Sequence, residues 1–187
     1  MNNQSPILMT AEQYLNWSEA QPEGRFELVD GELVMMAPER ARHVRAKYAV
    51  YVALSEATKA AAVKCHVLGD GIGVQTSENT IREPDASVQI GGTIGPDSML
   101  MPEPHIVVEV LSPSSERSDT GEKLAEYFSL PSVRHYLIVN AEKKIVIHHD
   151  RTADGHIETT ILQDGRINFE PFGFSVAVTA MFGEADQ

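Results

Sequence analysis

The chain has 187 residues and a formal net charge of −12; that balance excludes a general nucleic-acid coat, whose affinity comes from basic surface, but leaves room for an acidic metal site that touches nucleic acid locally. No apolar run approaches the roughly 20 residues that span a bilayer, so no membrane contact is expected, and MNNQSPILMTAEQ lacks the basic start and long apolar stretch of a signal peptide. The single cysteine, Cys65, excludes an internal disulfide and points to a reducing, cytoplasmic compartment.

In chain order, MTAEQYLNWSEA sets Thr10 and Gln13 at capping-box spacing and predicts a short helix, ended by Pro22 and Gly24. RFELVDGELVMMAP predicts a hairpin with Asp30-Gly31 as its tight turn, and Pro38 stops its second strand. From about Glu39 to Val63 the chain lacks Gly and Pro. This is the longest predicted helix, with Val44, Tyr48, Tyr51, Val52 and Leu54/Ser55 as its buried stripe. CHVLGDGIGVQT and EPDASVQIG are short apolar segments divided by glycines and the polar turn SENT, and read as sheet. HIVVEVL follows the Pro-rich MPEPH and has the continuous β-branched character of a central strand.

Asp119 and Glu122 can cap a helix running to about Leu130, with Leu124, Tyr127 and Phe128 inward and Pro131 beyond its end. RHYLIVNAEKKIVIHHD alternates around a turn near Ala141-Glu142 as two antiparallel strands. HIETTILQDGRINFEPFGFSVAV predicts one more hairpin, turning at Asp164-Gly165. With no repeat, low-complexity tract or long linker, the expectation is one α/β (α+β) domain over residues 1–187. Its parts are an N-terminal helix and hairpin at about 10–37, a core at about 38–140 and C-terminal hairpins at about 141–180. A mixed sheet would carry the long helix and the shorter one.

Ile106 to Leu111 reads as a buried strand, yet it contains Glu109. A carboxylate there is costly unless something pairs with it. Pro84-Asp85 stands on the strand before, and Lys123 opens the helix after. Two carboxylates on neighbouring strands, facing one side, can hold a hard divalent cation such as Mg²⁺ or Mn²⁺ through oxygen. The cation polarises a phosphoryl oxygen and lowers the pKa of a water. A nearby lysine can orient that water or balance the charge developing at phosphorus. Taken together the three residues suit phosphodiester cleavage. Taken singly each has a plainer reading: Glu109 on a solvated face or paired with arginine, Asp85 ending a turn, Lys123 on the surface.

REPDASVQI and PHIVVEVLSPSSERSDTGEKLAEYFSLPSVRHYLIVN, with FELVDGELVMMAP and His43 upstream, resemble the Uma2 family of the PD-(D/E)xK restriction-endonuclease-like superfamily. The similarity runs from about Thr10 to Val178. Its most specific part is EVLSPSS followed by Asp119, Lys123 and Tyr127 as D-x-x-x-K-x-x-x-Y. The resemblance implies a restriction-endonuclease-like core and a Mg²⁺-dependent endodeoxyribonuclease. It implies metal ligands at Asp85 and Glu109, with Glu27 of FELVDGEL completing the metal shell, and Lys123 as the catalytic lysine. In the wider superfamily the lysine lies two residues after the second acid, where this chain has Leu111. The lysine here has moved to the helix, from which its long stem can reach the same space.

RARHVRAK places Arg40, Arg42, His43, Arg45 and Lys47 within a turn and a half of helix. This is the candidate contact to DNA phosphates, with a solvated helix face as the alternative; His43 could instead orient Glu27. His148 and His149 fall on opposite faces of a strand and do not share a metal. Cys65, with only His66 beside it, reads as structural. Cleaving both strands of a duplex needs two sites, so a homodimer is expected, with the exposed edges of the C-terminal hairpins as its interface. Two other readings stay open. One is a catalytically silent nuclease fold kept as an interaction or regulatory module, which the net charge and Leu111 favour. The other is a hydrolase of another phosphate ester.

Overall fold

A computed structural model describes residues 8–20, 24–111 and 120–183. The expected helix-ending Pro22 and capping Asp119 lie outside these residues. Thr10 caps α1 (Ala11–Glu19): its hydroxyl accepts from the Gln13 N–H, and the Gln13 side chain accepts from the Thr10 N–H. β1 (Phe26–Val29) and β2 (Glu32–Met35) form the expected hairpin. Asp30 and Gly31 between them have φ of 49° and 85°, the left-handed pair that a primed two-residue turn requires. Then come α2 (Ala41–Ala60), β3 (Cys65–Gly69), β4 (Val74–Ser77), β5 (Thr80–Arg82), β6 (Ala86–Ile90) and β7 (Ile106–Val110). α3 (Thr120–Ser129) leads to β8 (His135–Asn140), β9 (Ile145–Arg151) and β10 (Ile157–Leu162). β11 (Arg166–Phe169), β12 (Phe174–Ala177) and a 3-10 turn (Val178–Phe182) follow.

Three sheets result. A six-stranded sheet has the order β10-β9-β8-β7-β6-β3, a four-stranded one β2-β1-β5-β4, and β11 pairs with β12 alone. The large sheet is mixed, as expected: β7 and β8 run parallel, with α3 in the connection, and its other neighbours are antiparallel. Alternation divides its side chains into two cores. Ala86, Val88, Ile106, Val108, Val110, Leu137 and Val139 pack with α2, β11 and β12. Val107, Tyr136 and Ile138 pack with Tyr127 and Phe128 of α3. β7 is therefore apolar on both faces except at Glu109. The smaller four-stranded sheet uses Leu28 and Ile81 to cover Ala11 and Tyr14 of α1.

Two local expectations need correcting. The buried stripe of α2 is Ala46, Lys47, Val50, Ala53, Leu54 and Thr58, so of the residues expected there only Leu54 is fully buried. Val44, Tyr48 and Tyr51 are exposed at 50%, 68% and 37%. The helical period is right and the phase is rotated, because the small alanine face lets α2 lie close against β3 and β12 where tyrosines would not fit. Asp164-Gly165 joins β10 to β11 without pairing them. β10 instead pairs along its whole length with β9, and β11 pairs with β12. The chain changes sheets at that turn because Ile167, Phe169, Phe174 and Val176 are buried in the α2 core.

A neutral histidine pair joins β8 to β9. His135 Nε2 donates to the Glu170 carbonyl at 2.8 Å, which leaves Nδ1 to accept from His148 Nε2 at 3.0 Å. Phe169 and Phe172 close edge-on around the His135 ring. Burial, reinforced by His148, lowers His135 to about 3, and burial with His149 lowers His148 to about 4. Asp150, 3.4 Å from His135, and Arg134 are the charged groups alongside. Unfolded histidines protonate near 6.5, so the unfolded chain takes up protons first as the pH falls. The pair's contribution to stability is complete above about pH 6.5 and is lost on acidification towards about pH 3 to 4. Thermal melts are expected to show this loss, and a His135→Gln, His148→Gln double variant to flatten it. An equally steep fall in that variant would assign the acid sensitivity elsewhere. His149, on the opposite face, hydrogen-bonds Thr159 at 2.8 Å and stacks on Tyr136.

Candidate active site

β6 and β7 are antiparallel with Ala86 opposite Val108. Asp85 directly precedes β6 and lies close enough to Glu109 for its charge to act on that carboxyl. Neighbouring like charges repel one another, and here each is held by a lysine. Asp85 is 6% exposed. Its Oδ2 accepts the Val110 N–H at 2.5 Å, and Oδ1 pairs with Lys47 at 2.8 Å. Lys47, also buried, reaches Asp70 at 2.7 Å and Glu39. Glu109 Oε1 accepts from Lys123 at 3.0 Å and from the Tyr127 hydroxyl at 2.7 Å. Spacing of i, i+4 on α3 puts these two donors on one face.

Lys123 continues to Glu27 Oε1 at 3.5 Å. Glu27 in turn accepts from Arg82 at 3.1 Å and from the Glu83 N–H at 3.0 Å. Arg82 closes the series with two bonds to Glu126, 2.6 and 2.7 Å. The charges alternate from Asp70 through Lys47 to Asp85, and from Glu109 through Lys123, Glu27 and Arg82 to Glu126. The alternation breaks at the step from Asp85 to Glu109.

The electrostatics follow from this arrangement. Burial is the largest influence on Glu109, and with the fields of Asp85 and Glu27 it raises the carboxyl to about 7 against the pull of Lys123 and the Tyr127 hydrogen bond. Burial opposes charge on Lys47, but Asp85, Asp70 and Glu39 outweigh it and hold the ammonium above its ordinary value. Arg82 is raised in the same way, by its bonds to Glu126 and the charge of Glu27 against the cost of burial.

The paired acids offer carboxylate oxygen, which suits a hard cation. Among the described residues no three of His, Cys, Asp and Glu form a metal-holding group. The fit is to an ion that takes two protein carboxylates and completes its sphere with water and substrate phosphate, the habit of Mg²⁺. Glu27 does not complete such a group with Asp85 and Glu109. Its oxygens are taken by Arg82, the Glu83 amide and Lys123.

The basic patch also divides. Arg40, just before α2, and Arg42 and Arg45 on it are exposed, and Arg42 pairs with Glu142 at 3.1 Å. Lys47 turns inward to Asp85, because its position falls on the alanine-lined stripe beside Ala46 and Val50. His43 Nε2 donates to the Val110 carbonyl at 2.8 Å, with Nδ1 3.6 Å from Glu39. It supports the end of β7 rather than Glu27. Sequence reasoning did not place Arg82, Asp70 or Glu39 at the site, and put Lys47 on the surface. The spacing Ala46, Val50, Ala53, Leu54 was the available signal for Lys47; Arg82 had only its adjacency to EPD.

Comparison with known proteins agrees with this arrangement at the level of fold and family. A crystal structure from Anabaena variabilis, described as a "putative nuclease belonging to DUF820", superposes with a TM-score of 0.71 at 15% identity, covering 93% of this chain and 97% of that one. The "Uncharacterized protein slr1290" of Synechocystis is 25% identical over 176 residues, 93% of this chain and 91% of its own. Residues 11–179 match the family described as "Uma2: Putative restriction endonuclease". The match takes in every strand and helix described above, from the capped α1 to the last strand, and on that span the chain belongs to the Uma2 family.

Proposed function

We propose that this chain is a divalent-metal-dependent endonuclease that hydrolyses phosphodiester bonds in DNA. The observation that carries the reading is the closeness of Asp85 and Glu109, with Asp85 on the Val110 N–H next to Glu109 and each acid on a buried lysine. Asp85 and Glu109 would hold Mg²⁺ or Mn²⁺, which when bound polarises a phosphoryl oxygen and acidifies water. Tyr127 and Lys123 orient Glu109 from one helix face. Lys47 has Glu39 and Asp70 as further partners, so it can loosen its hold on Asp85 without becoming an unpaired buried charge. Lys123 is placed to orient the attacking water or to balance the charge developing at phosphorus. The arginines at the start of α2, Arg40, Arg42 and Arg45, are the proposed backbone contacts.

The test is nicking of supercoiled plasmid DNA with Mg²⁺ or Mn²⁺ added. No cleavage of DNA or RNA across divalent metals, together with no metal uptake by calorimetry, would contradict the proposal. Lys123→Ala is expected to slow cleavage by about 100-fold or more, the loss typical of a donor at developing charge. A variant as fast as the parent would leave Lys123 a purely structural role.

One observation favours a second reading. Both acids are already satisfied by protein ammonium groups, as a catalytically silent interaction or regulatory module would require; intact plasmid and unchanged calorimetry would support it. For the enzyme we propose a two-fold homodimer, since two strands need two sites. β10 is the open edge of the large sheet, with Ile157 and Ile161 exposed at 43% and 67%. Light scattering should give twice the chain mass.

A further inference from the structure

A groove of about 410 Å³ reaches Asp85, lined by Val44, Tyr48 and Tyr51 of α2 and by Val67 and Leu68 of β3. The large apolar side chains that the rotated phase of α2 turns away from the core face this groove. Tyr48 and Tyr51 stand three residues apart on α2 and both line the groove. Tyr51 folds back over β3, where a Cβ placed on Gly69 would come 3.9 Å from its ring. Tyr48 remains 68% exposed. The polar members are Glu39, Asp70, Asp85 and Lys47, three carboxylates around one ammonium and already paired with it. Such a wall does not attract a phosphate. It suits a flat, uncharged group that carries N–H donors.

We propose that this groove stacks an unpaired nucleobase, and that the substrate is nucleic acid with a single-stranded or extruded nucleotide next to the scissile phosphate. The inference rests on the endonuclease reading, because Asp85 is both a wall of the groove and one of the two acids of the proposed metal site, so a nucleotide stacked there has its backbone near that site. Aromatic rings accept any base through its π-face, which makes such a platform tolerant of sequence. Arg45, one turn before Tyr48 and exposed, lies on the same stretch of helix for contact with the adjoining backbone. A base inside a duplex cannot reach a groove of this kind without leaving the stack.

The experiment uses the full chain and three labelled oligonucleotides of one sequence: single-stranded, fully paired, and paired with a single unpaired 2-aminopurine. Binding is followed by anisotropy and stacking by quenching of 2-aminopurine, in Ca²⁺ to slow turnover. The single strand and the unpaired duplex are expected to bind at least about 10-fold tighter than the paired duplex, with quenching on binding. Tyr48→Ala and Tyr51→Ala should each weaken that binding by about 5- to 100-fold, the range for one stacked base. Tyr48→Trp should retain it. Equal affinity for paired and unpaired strands, or alanine variants that bind like the parent, would overturn the proposal. So would a Tyr48→Ala variant that changes only the mass in light scattering, since the tyrosine face would then be a contact between copies of the chain. The two readings fail separately. Unpaired-base binding and quenching with no cleavage across divalent metals and no metal uptake would overturn the nuclease reading alone, and duplex cleavage insensitive to both tyrosines would overturn the stacking proposal alone.

Discussion

Asp85→Asn and Glu109→Gln are each expected to reduce metal-dependent cleavage by more than about 100-fold, since even outer partners of metal ligands commonly cost 10- to 100-fold. The same substitutions should leave the fold intact. Gln at 109 keeps an oxygen that can accept from both Lys123 and Tyr127, and Asn at 85 keeps one for the Val110 N–H while Lys47 retains Glu39 and Asp70. Glu109→Gln should melt at the same temperature as the parent or higher. In the parent, burial together with Asp85 and Glu27 makes ionised Glu109 unfavourable, and the amide removes that penalty. Loss of cleavage with retained stability is the signature of a site whose acids are kept for chemistry. A parallel loss of melting temperature would instead mark Asp85 and Glu109 as structural.

The largest effect on stability is expected at Arg82. It is 3% exposed and joins Glu27 on β1 to Glu126 on α3. Removing one partner from a buried ionic network costs about 3–5 kcal/mol, because the remaining charge is left in a poor environment. Arg82→Ala should therefore lower the melting temperature by roughly 10 °C in a chain of this size. Neutralising the whole cluster, with Arg82→Met, Glu27→Gln and Glu126→Gln together, should recover much of the loss, since replacing a complete buried network is far less costly than breaking it. A single variant as stable as the parent would show that solvent reaches the cluster. Cleavage should fall in Arg82→Ala as well, because Glu27 would be left with Lys123 and the Glu83 amide, and Lys123 would be drawn from Glu109.

What the sequence made legible follows from how local each signal is. The capping box at Thr10, the Asp30-Gly31 turn and the β-branched run before Glu109 involve residues close in the chain, and the structure has them where they were expected. Glu109 stood out because a carboxylate contradicted its own strand. Asp85 and Lys123 were singled out by residue type and through the family resemblance, and the structure sets Asp85 on the Val110 N–H and Lys123 on Glu109. The remaining contacts depend on registers between distant elements. The phase of α2 is set by β3 and β12, so Lys47 was placed on the wrong face. Arg82 meets Glu126 across 44 residues, a separation that no local pattern reports. The sheet change at Asp164-Gly165 was hidden for a related reason: an Asp-Gly turn joins strands equally well whether they pair with each other or with separate partners.

Asp85 and Glu109 are proposed to hold one divalent cation between them. The decisive measurement is a crystal structure of the protein grown with Mn²⁺, read by anomalous scattering at the manganese edge. One peak is expected between the two carboxylates, within coordination distance of an oxygen from each, with Lys47 shifted towards Glu39 and Asp70. An empty position there, with Lys47 still on Asp85 and Lys123 still on Glu109, would rule the metal site out.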